Sequence, residues 1–249
     1  MRLLLLVICL AVLPAFGEDS KVTSLIVQGD AEEKLRHTKA ALAALHQAEQ
    51  LEPNNVGVLL RLAKQYSDLV SDTKNATVAE QNAQKSLEYS KRAVALDPNS
   101  AKAHLSVAVG YGKLTDFVGN KTKIEYSKVI KESTEKSISL DGTDDFAWHV
   151  LGRWHFGVAN VGAVLKALAR VVYGGLPPAS NEEAARCLKK ATELAPQKIF
   201  HHAALARVYK AMGKQELAAK EWQSVVSLPA LDSEDEQEKR EAQQALASR

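Results

Sequence analysis

Histidine, cysteine and a few basic residues are the side chains of this 249-residue chain best suited to chemistry. His201 and His202 are adjacent, so on a helix they point to different faces. His149 and His155 are six apart and do not share a face either. Metal ligation needs convergent nitrogens or thiolates, so this spacing predicts no metal site and no cofactor. Cys187 lies beside an apolar stripe and is expected to be a buried, inert thiol. There is no glycine-rich phosphate loop, no Gly-x-Ser-x-Gly elbow and no His-Glu-x-x-His helix. Those absences point to a non-catalytic chain, not an enzyme. What remains are basic residues whose value depends on the surface that displays them.

That surface is set by a recurring helical pattern. Trp148, Leu151, Gly152 and His155 fall at i, i+3, i+4 and i+7, one face of a helix. Ala184, Leu188 and Ala191 make a narrow stripe on a second helix, which Pro196 ends. Large, Leu and small on one helix, then Ala, large, Ala and Pro on the next, are the marks of a tetratricopeptide hairpin. Leu59, Leu62, Ala63 and Tyr66 repeat the first half, as do His104, Val107, Ala108 and Tyr111, then Leu205, Ala206 and Tyr209. Stop signals at Pro53, Pro98, Gly142, Pro196 and Pro229 lie 45, 44, 54 and 33 residues apart, so most units carry insertions. The spacing predicts an all-α, tetratricopeptide-like α-solenoid of antiparallel helix pairs, with a long helical insertion in the fourth unit. A first repeat with a weak or missing first helix is expected at the front. There Asp30 and Glu33 read as a capping pair for a helix over Ala31 to Leu51.

In this repeat class the first helices line a concave groove. The residue after the small position faces it, as does the one three further on. The rule selects Lys64, Val109, Arg153 and Arg207, then Ser67, Gly112, Phe156 and Lys210, with Lys102 and Lys113 nearby. A groove carrying Lys64, Lys102, Lys113, Arg153, Phe156, Arg207 and Lys210 suits an extended acidic segment or a terminal carboxylate of a protein or peptide partner. The expected function is therefore a non-catalytic protein–protein interaction or scaffold module. The alternative is a carrier of lipid or another apolar ligand. It rests on residues 156–176, where Val158, Val161, Val164, Leu165, Leu168, Val171, Val172 and Tyr173 are joined by only Lys166 and Arg170 as charges.

Residues 1–17 read as an export signal. Arg2 is the positive start, Leu3 to Val12 the apolar core, and Ala15-Phe16-Gly17 the small-residue cleavage pattern. Export to a periplasm or the exterior is expected, with a retained anchor at 3–16 as the alternative. Cleavage removes Cys9, which leaves no internal disulfide. Residues 18–231 form the repeat domain. Residues 232–249 form a charged terminal helix or tail, with Ser233 and Glu236 as its cap and the open end of the stack as its place. The formal net charge of +2 gives no pull toward nucleic acid. Asn75-Ala76-Thr77 and Asn120-Lys121-Thr122 are sequons in expected turns.

From Leu59 to about Pro229 the chain resembles the regulator of microtubule dynamics proteins. The resemblance is carried by Leu60-Arg61-Leu62-Ala63, by Gly112-Lys113-Leu114-Thr115-Asp116-Phe117 with Lys121 and Lys123, and by Leu151-Gly152-Arg153-Trp154-His155-Phe156 with Val158-Ala159. Pro177-Pro178-Ala179-Ser180 with Glu182-Glu183-Ala184 completes it. The insertion between the fourth unit's helices belongs to the same pattern. The resemblance implies tetratricopeptide-like helices and no catalysis. Animal members are associated with microtubules and spindle poles, some have an amino-terminal membrane anchor, and one branch bridges organelles and handles phospholipid. Microtubule binding is implied by the resemblance alone. An exported chain meets no cytosolic microtubules, so the fold is carried over and that partner is not.

Overall fold

The structure is a computed structural model that describes the backbone of residues 16–248 and the side chains of 21–171 and 174–248. The export signal, and the alternative anchor at 3–16, lie outside the described residues but for the last positions, where α1 begins. Among the described residues every element is a helix, and no helix is long and apolar enough to cross a membrane.

Five antiparallel hairpins follow one another. They are α1 (Phe16–Lys34) with α2 (Thr38–Leu51), α3 (Val56–Asp72) with α4 (Ala76–Leu96), and α5 (Ala101–Leu114) with α6 (Asn120–Leu140). Next come α7 (Asp145–Ala159) with α9 (Asn181–Leu194), and α10 (Ile199–Ala211) with α11 (Gln215–Ser227). The insertion forms α8 (Ala163–Tyr173) between α7 and α9, and α12 (Ser233–Ala247) follows the last hairpin. Each second helix packs on the next first helix, and the first helices α3, α5, α7, α10 and α12 touch in series.

The local causes are legible. Asn55, Asn75, Ser100, Asp144 and Ser180 each accept a backbone N–H in the first turn of the helix they precede, which satisfies donors that the helix cannot. Asn75 of the first sequon is thus a cap, and Asn120 of the second is the first residue of α6. Helices stop at Leu51, Leu96, Leu140, Leu194 and Ser227, each just ahead of its stop signal. Gly152 lets α9 approach α7 closely. A Cβ there would stand 2.6 Å from Leu188 Cγ and 3.1 Å from the Ala184 carbonyl oxygen.

The front of the chain corrects the sequence reading. The first hairpin has a full first helix, in which Val22 and Leu25 are buried against Leu45, Ala48, Val58 and Leu62. Gly29 is its small position, with a Cβ site 2.9 Å from Leu45 Cγ. Asp30 and Glu33 cap nothing. They lie inside α1 and reach across to α3, where Asp30 accepts from Arg61 Nε at 2.6 Å and Glu33 from Gln65 Nε2 at 2.8 Å. The Gly-Asp pair reads as a helix start only when this cross-hairpin use of the carboxylates is invisible.

At the other end, α12 lies on α11 and α10 with Ala242 buried. Its N-cap is Asp232, whose Oδ1 accepts from Asp235 N at 2.8 Å, one residue ahead of the expected Ser233. Arg36, in the turn between α1 and α2, donates to Asp232 Oδ2 at 2.5 Å, so the first hairpin and the last helix meet.

Candidate functional site

The residues expected to line a groove fall into two groups. Lys64 is already paired, at 2.7 Å from Glu33 and 2.8 Å from Asp68. Burial pulls its ammonium down, but those two carboxylates outweigh this and raise it. Arg207 is engaged by Glu238 and Glu241 of α12 and lies over the Trp222 ring. Burial opposes its charge, and the two carboxylates reverse that and hold the guanidinium above its ordinary value. Lys113 donates to Ser71 Oγ at 2.8 Å, Lys102 sits near Asp141, and Lys210 sits near Glu241. Ser67 is buried. Arg153 is exposed and has no carboxylate partner among the described residues, and half-buried Phe156 lies one turn on, against the Ala184–Leu188 cluster. The charges of Arg153 and Arg207 are both felt at His149.

Two clusters were missed by spacing rules, because each joins side chains from different helices. The first lies where α7 meets α10. Asp145 Oδ2 accepts from His201 Nε2 and from Lys198 Nζ, both at 2.7 Å. His201 Nδ1 stands 3.0 Å from His149 Nδ1. In the neutral pair His201 donates to Asp145 and accepts from the His149 Nδ1–H. His201 is fully buried and His149 nearly so, between the Phe146 and Phe200 rings. Burial pushes His149 well below its ordinary value, helped by His201 and Arg153, and pushes His201 down against the pull of Asp145. Asp145 stays below the usual carboxylate range: burial would raise it, but Lys198 and His201 outweigh that.

The second cluster lies between α7 and α9. His155, Glu183 and Cys187 bring one ligand atom each within 4.8 Å of one another. Cys187 is fully buried, as expected, and burial lifts its thiol to about 11. The Ser180 hydroxyl caps α9 by accepting from Glu183 N, while the Glu183 carboxylate turns to Arg186 instead of closing a capping box.

Stacked hairpins with small residues at their crossings and a polar terminal helix define a tetratricopeptide-like α-solenoid. Solved structures agree. A thermophilic tetratricopeptide protein from Thermus thermophilus is 17% identical and superposes with a TM-score of 0.67 over 91% of this chain and 99% of its own. MamA of Desulfovibrio magneticus RS-1 is 16% identical, with a TM-score of 0.52 over 84% of this chain and 94% of its own. At such identities the likeness concerns the fold alone. The family model described as "Regulator of microtubule dynamics protein 1-3" matches residues 24–249, and the chain belongs to that family. Regulator of microtubule dynamics protein 3 of Xenopus laevis is 31% identical over 180 residues, 71% of this chain and 38% of the relative. Regulator of microtubule dynamics protein 1 of Mus musculus is 29% identical over 229 residues, 91% of this chain and 74% of the relative. The chain thus spans well under half of the first of these proteins and about three-quarters of the second.

Proposed function

We propose that this chain is a non-catalytic scaffold that holds an acidic segment of a protein partner at Arg153 and Phe156. One comparison carries the reading. The same repeat position is basic in three hairpins, as Lys64, Arg153 and Arg207. Two of the three are filled by carboxylates of this chain, from α1, α3 and α12. Arg153 has no carboxylate partner among the described residues and lies three residues before the partly buried Phe156 on α7. A guanidinium binds a carboxylate bidentately, and a neighbouring ring adds apolar contact. The expected work place is the compartment to which residues 1–17 would deliver the chain. That makes a protein of that compartment, and not the microtubule of the family's name, the partner to seek. Arg153→Glu is expected to weaken capture of that partner by about 10- to 100-fold, the worth of a hydrogen-bonded charge. The check is a quantitative pull-down from the exported fraction, with Lys189→Glu, on the exposed side of α9, as control. Equal recovery of the same protein by wild type and Arg153→Glu ends this reading.

A second reading, a carrier or adsorber of lipid, is favoured by one observation. Val164 and Val171 of α8 are 79% and 85% exposed, one above the other at i and i+7. Among the described side chains of α8 only Ala169 is buried, and α8 packs on α6. The Val164→Asp, Val171→Asp double variant is expected to lower flotation with phosphatidylcholine vesicles severalfold. Equal flotation of both chains, with no lipid seen by native mass spectrometry, removes the lipid reading.

A further inference from the structure

The fourth hairpin brings together three side chains that bind metals. Glu183 and Cys187 are four apart on α9 and so share a face. His155 meets them from α7, and one ligand atom from each residue lies within 4.8 Å of the other two. His155 supplies the second, independent observation. Its residue is 8% exposed, and its Nδ1 is buried with no hydrogen-bond partner. Buried polar nitrogens are almost always satisfied, so an orphan on a ring that also brings a nitrogen to a thiol and a carboxylate asks for a ligand.

We propose that His155, Glu183 and Cys187 form a zinc site, one per chain, with a fourth position open to solvent. A nitrogen, sulfur and oxygen donor set suits zinc and not the all-oxygen preference of magnesium or calcium. Zinc bonds of about 2.0–2.3 Å require ligand atoms roughly 3.3–3.8 Å apart, so 4.8 Å closes with small side-chain rotations. Glu183 is already oriented: Arg186 Nε and Nη2 donate to its Oε2 at 2.9 and 2.7 Å, which leaves the other oxygen clear of Arg186. Such a partner is the usual support of a ligating carboxylate. The Glu183 side chain is 46% exposed, which gives ions an entry and solvent the fourth position. Glu135 of α6 adds a second carboxylate charge felt by both His155 and Cys187, against Arg186 and Lys131. Cys187 is bound as thiolate, so the thiol proton leaves to solvent as the Zn–S bond forms and one proton is released per ion.

The test uses the untagged full chain in a Cys9→Ser background, which leaves Cys187 as the one thiol. Chelator-treated protein is titrated with Co²⁺ as probe, then with Zn²⁺. Expected are a near-ultraviolet thiolate-to-cobalt band and tetrahedral visible bands that saturate at one equivalent, vanish on adding zinc, and accompany release of one proton. Cys187→Ser should abolish the ultraviolet band, and His155→Ala should weaken binding by more than about 100-fold, beyond the loss of a supporting contact. Glu183→Gln is the variant least able to disturb packing and should also weaken binding, with an unchanged melting curve in the absence of metal. No cobalt band from protein whose thiol titrates as free and reduced overturns the site. So does a band whose affinity is unchanged in His155→Ala and Glu183→Gln.

Discussion

Gly152→Val lowers the midpoint of thermal unfolding by on the order of 10 °C. The Cβ that valine adds would stand 2.6 Å from Leu188 Cγ and 3.1 Å from the Ala184 carbonyl oxygen, distances at which atoms must move apart. Leu188 is fully buried, with Ala184, Ala185, Leu205 and Val208 around it, so it has little room to yield. Overpacking of this kind costs about 1–3 kcal/mol, and here the branched carbon meets backbone as well, so about 3 kcal/mol is expected. In a chain of this size each kcal/mol lowers the midpoint by about 2–4 °C. Gly152→Ala should cost less, because alanine gains up to about 1 kcal/mol in helix propensity. If Leu188 is the cause, Gly152→Ala in a Leu188→Ala background loses most of its penalty, and calorimetry of the four proteins reads the coupling. Additive effects would place the strain elsewhere.

Asp145→Ala is expected to cost about 2–3 kcal/mol. It strips the acceptor from the fully buried His201 Nε2 and from Lys198. An orphaned buried donor costs about 1–3 kcal/mol, and a carboxylate lost from the first turn of α7 adds about 0.3–1 kcal/mol. Denaturant unfolding at about pH 7.5 measures this, and a loss below about 1 kcal/mol contradicts the described network. The buried histidines of both clusters set a pH response. His149, His201 and His155 titrate below 6.5 in the fold, chiefly because burial disfavours the charged ring. The unfolded chain therefore binds more protons as acid is added. Their contribution is complete above about pH 6.5 and is lost as the pH falls. His202 works the other way. Glu221 raises it, so its contribution is present below 6.5 and fades as the pH rises through its folded value. Three groups oppose one, so wild type should be less stable at about pH 5.5 than at about pH 7.5. The trend should survive in Asp145→Ala, because burial remains.

The hairpins could be read from the sequence because their signal is local. Trp148, Leu151 and Gly152 share a face through spacing alone, and Pro98 or Pro196 ends a helix whatever surrounds it. The first hairpin was harder. Leu25 and Gly29 keep the large and small places, but Gln28 stands where the pattern has Leu, Asp30 next to Gly29 imitates a cap, and only Arg61 in another hairpin explains that carboxylate. Sites were legible only in part for the same reason. The repeat rule found Lys64, Arg153 and Arg207 as one series. It could not find that α12 would cover Arg207 or that Glu33 would reach Lys64. Spacing within a helix compared His149 with His155 and His201 with His202, and could compare nothing across helices. Their partners come from neighbouring helices, as His201 meets His149 and His155 meets Cys187.

The contact between Arg36 and Asp232, residues 196 positions apart, bears on how the protein is made. An array of hairpins needs only its neighbours, so the emerging polypeptide can stack from its beginning while the ribosome still holds the remainder. The join between Arg36 and Asp232 must wait until residue 232 has left the exit tunnel. Until the stretch behind it follows, Arg207 also lacks its two carboxylates. Both contacts therefore wait for α12, although the hairpins before it can be assembled earlier.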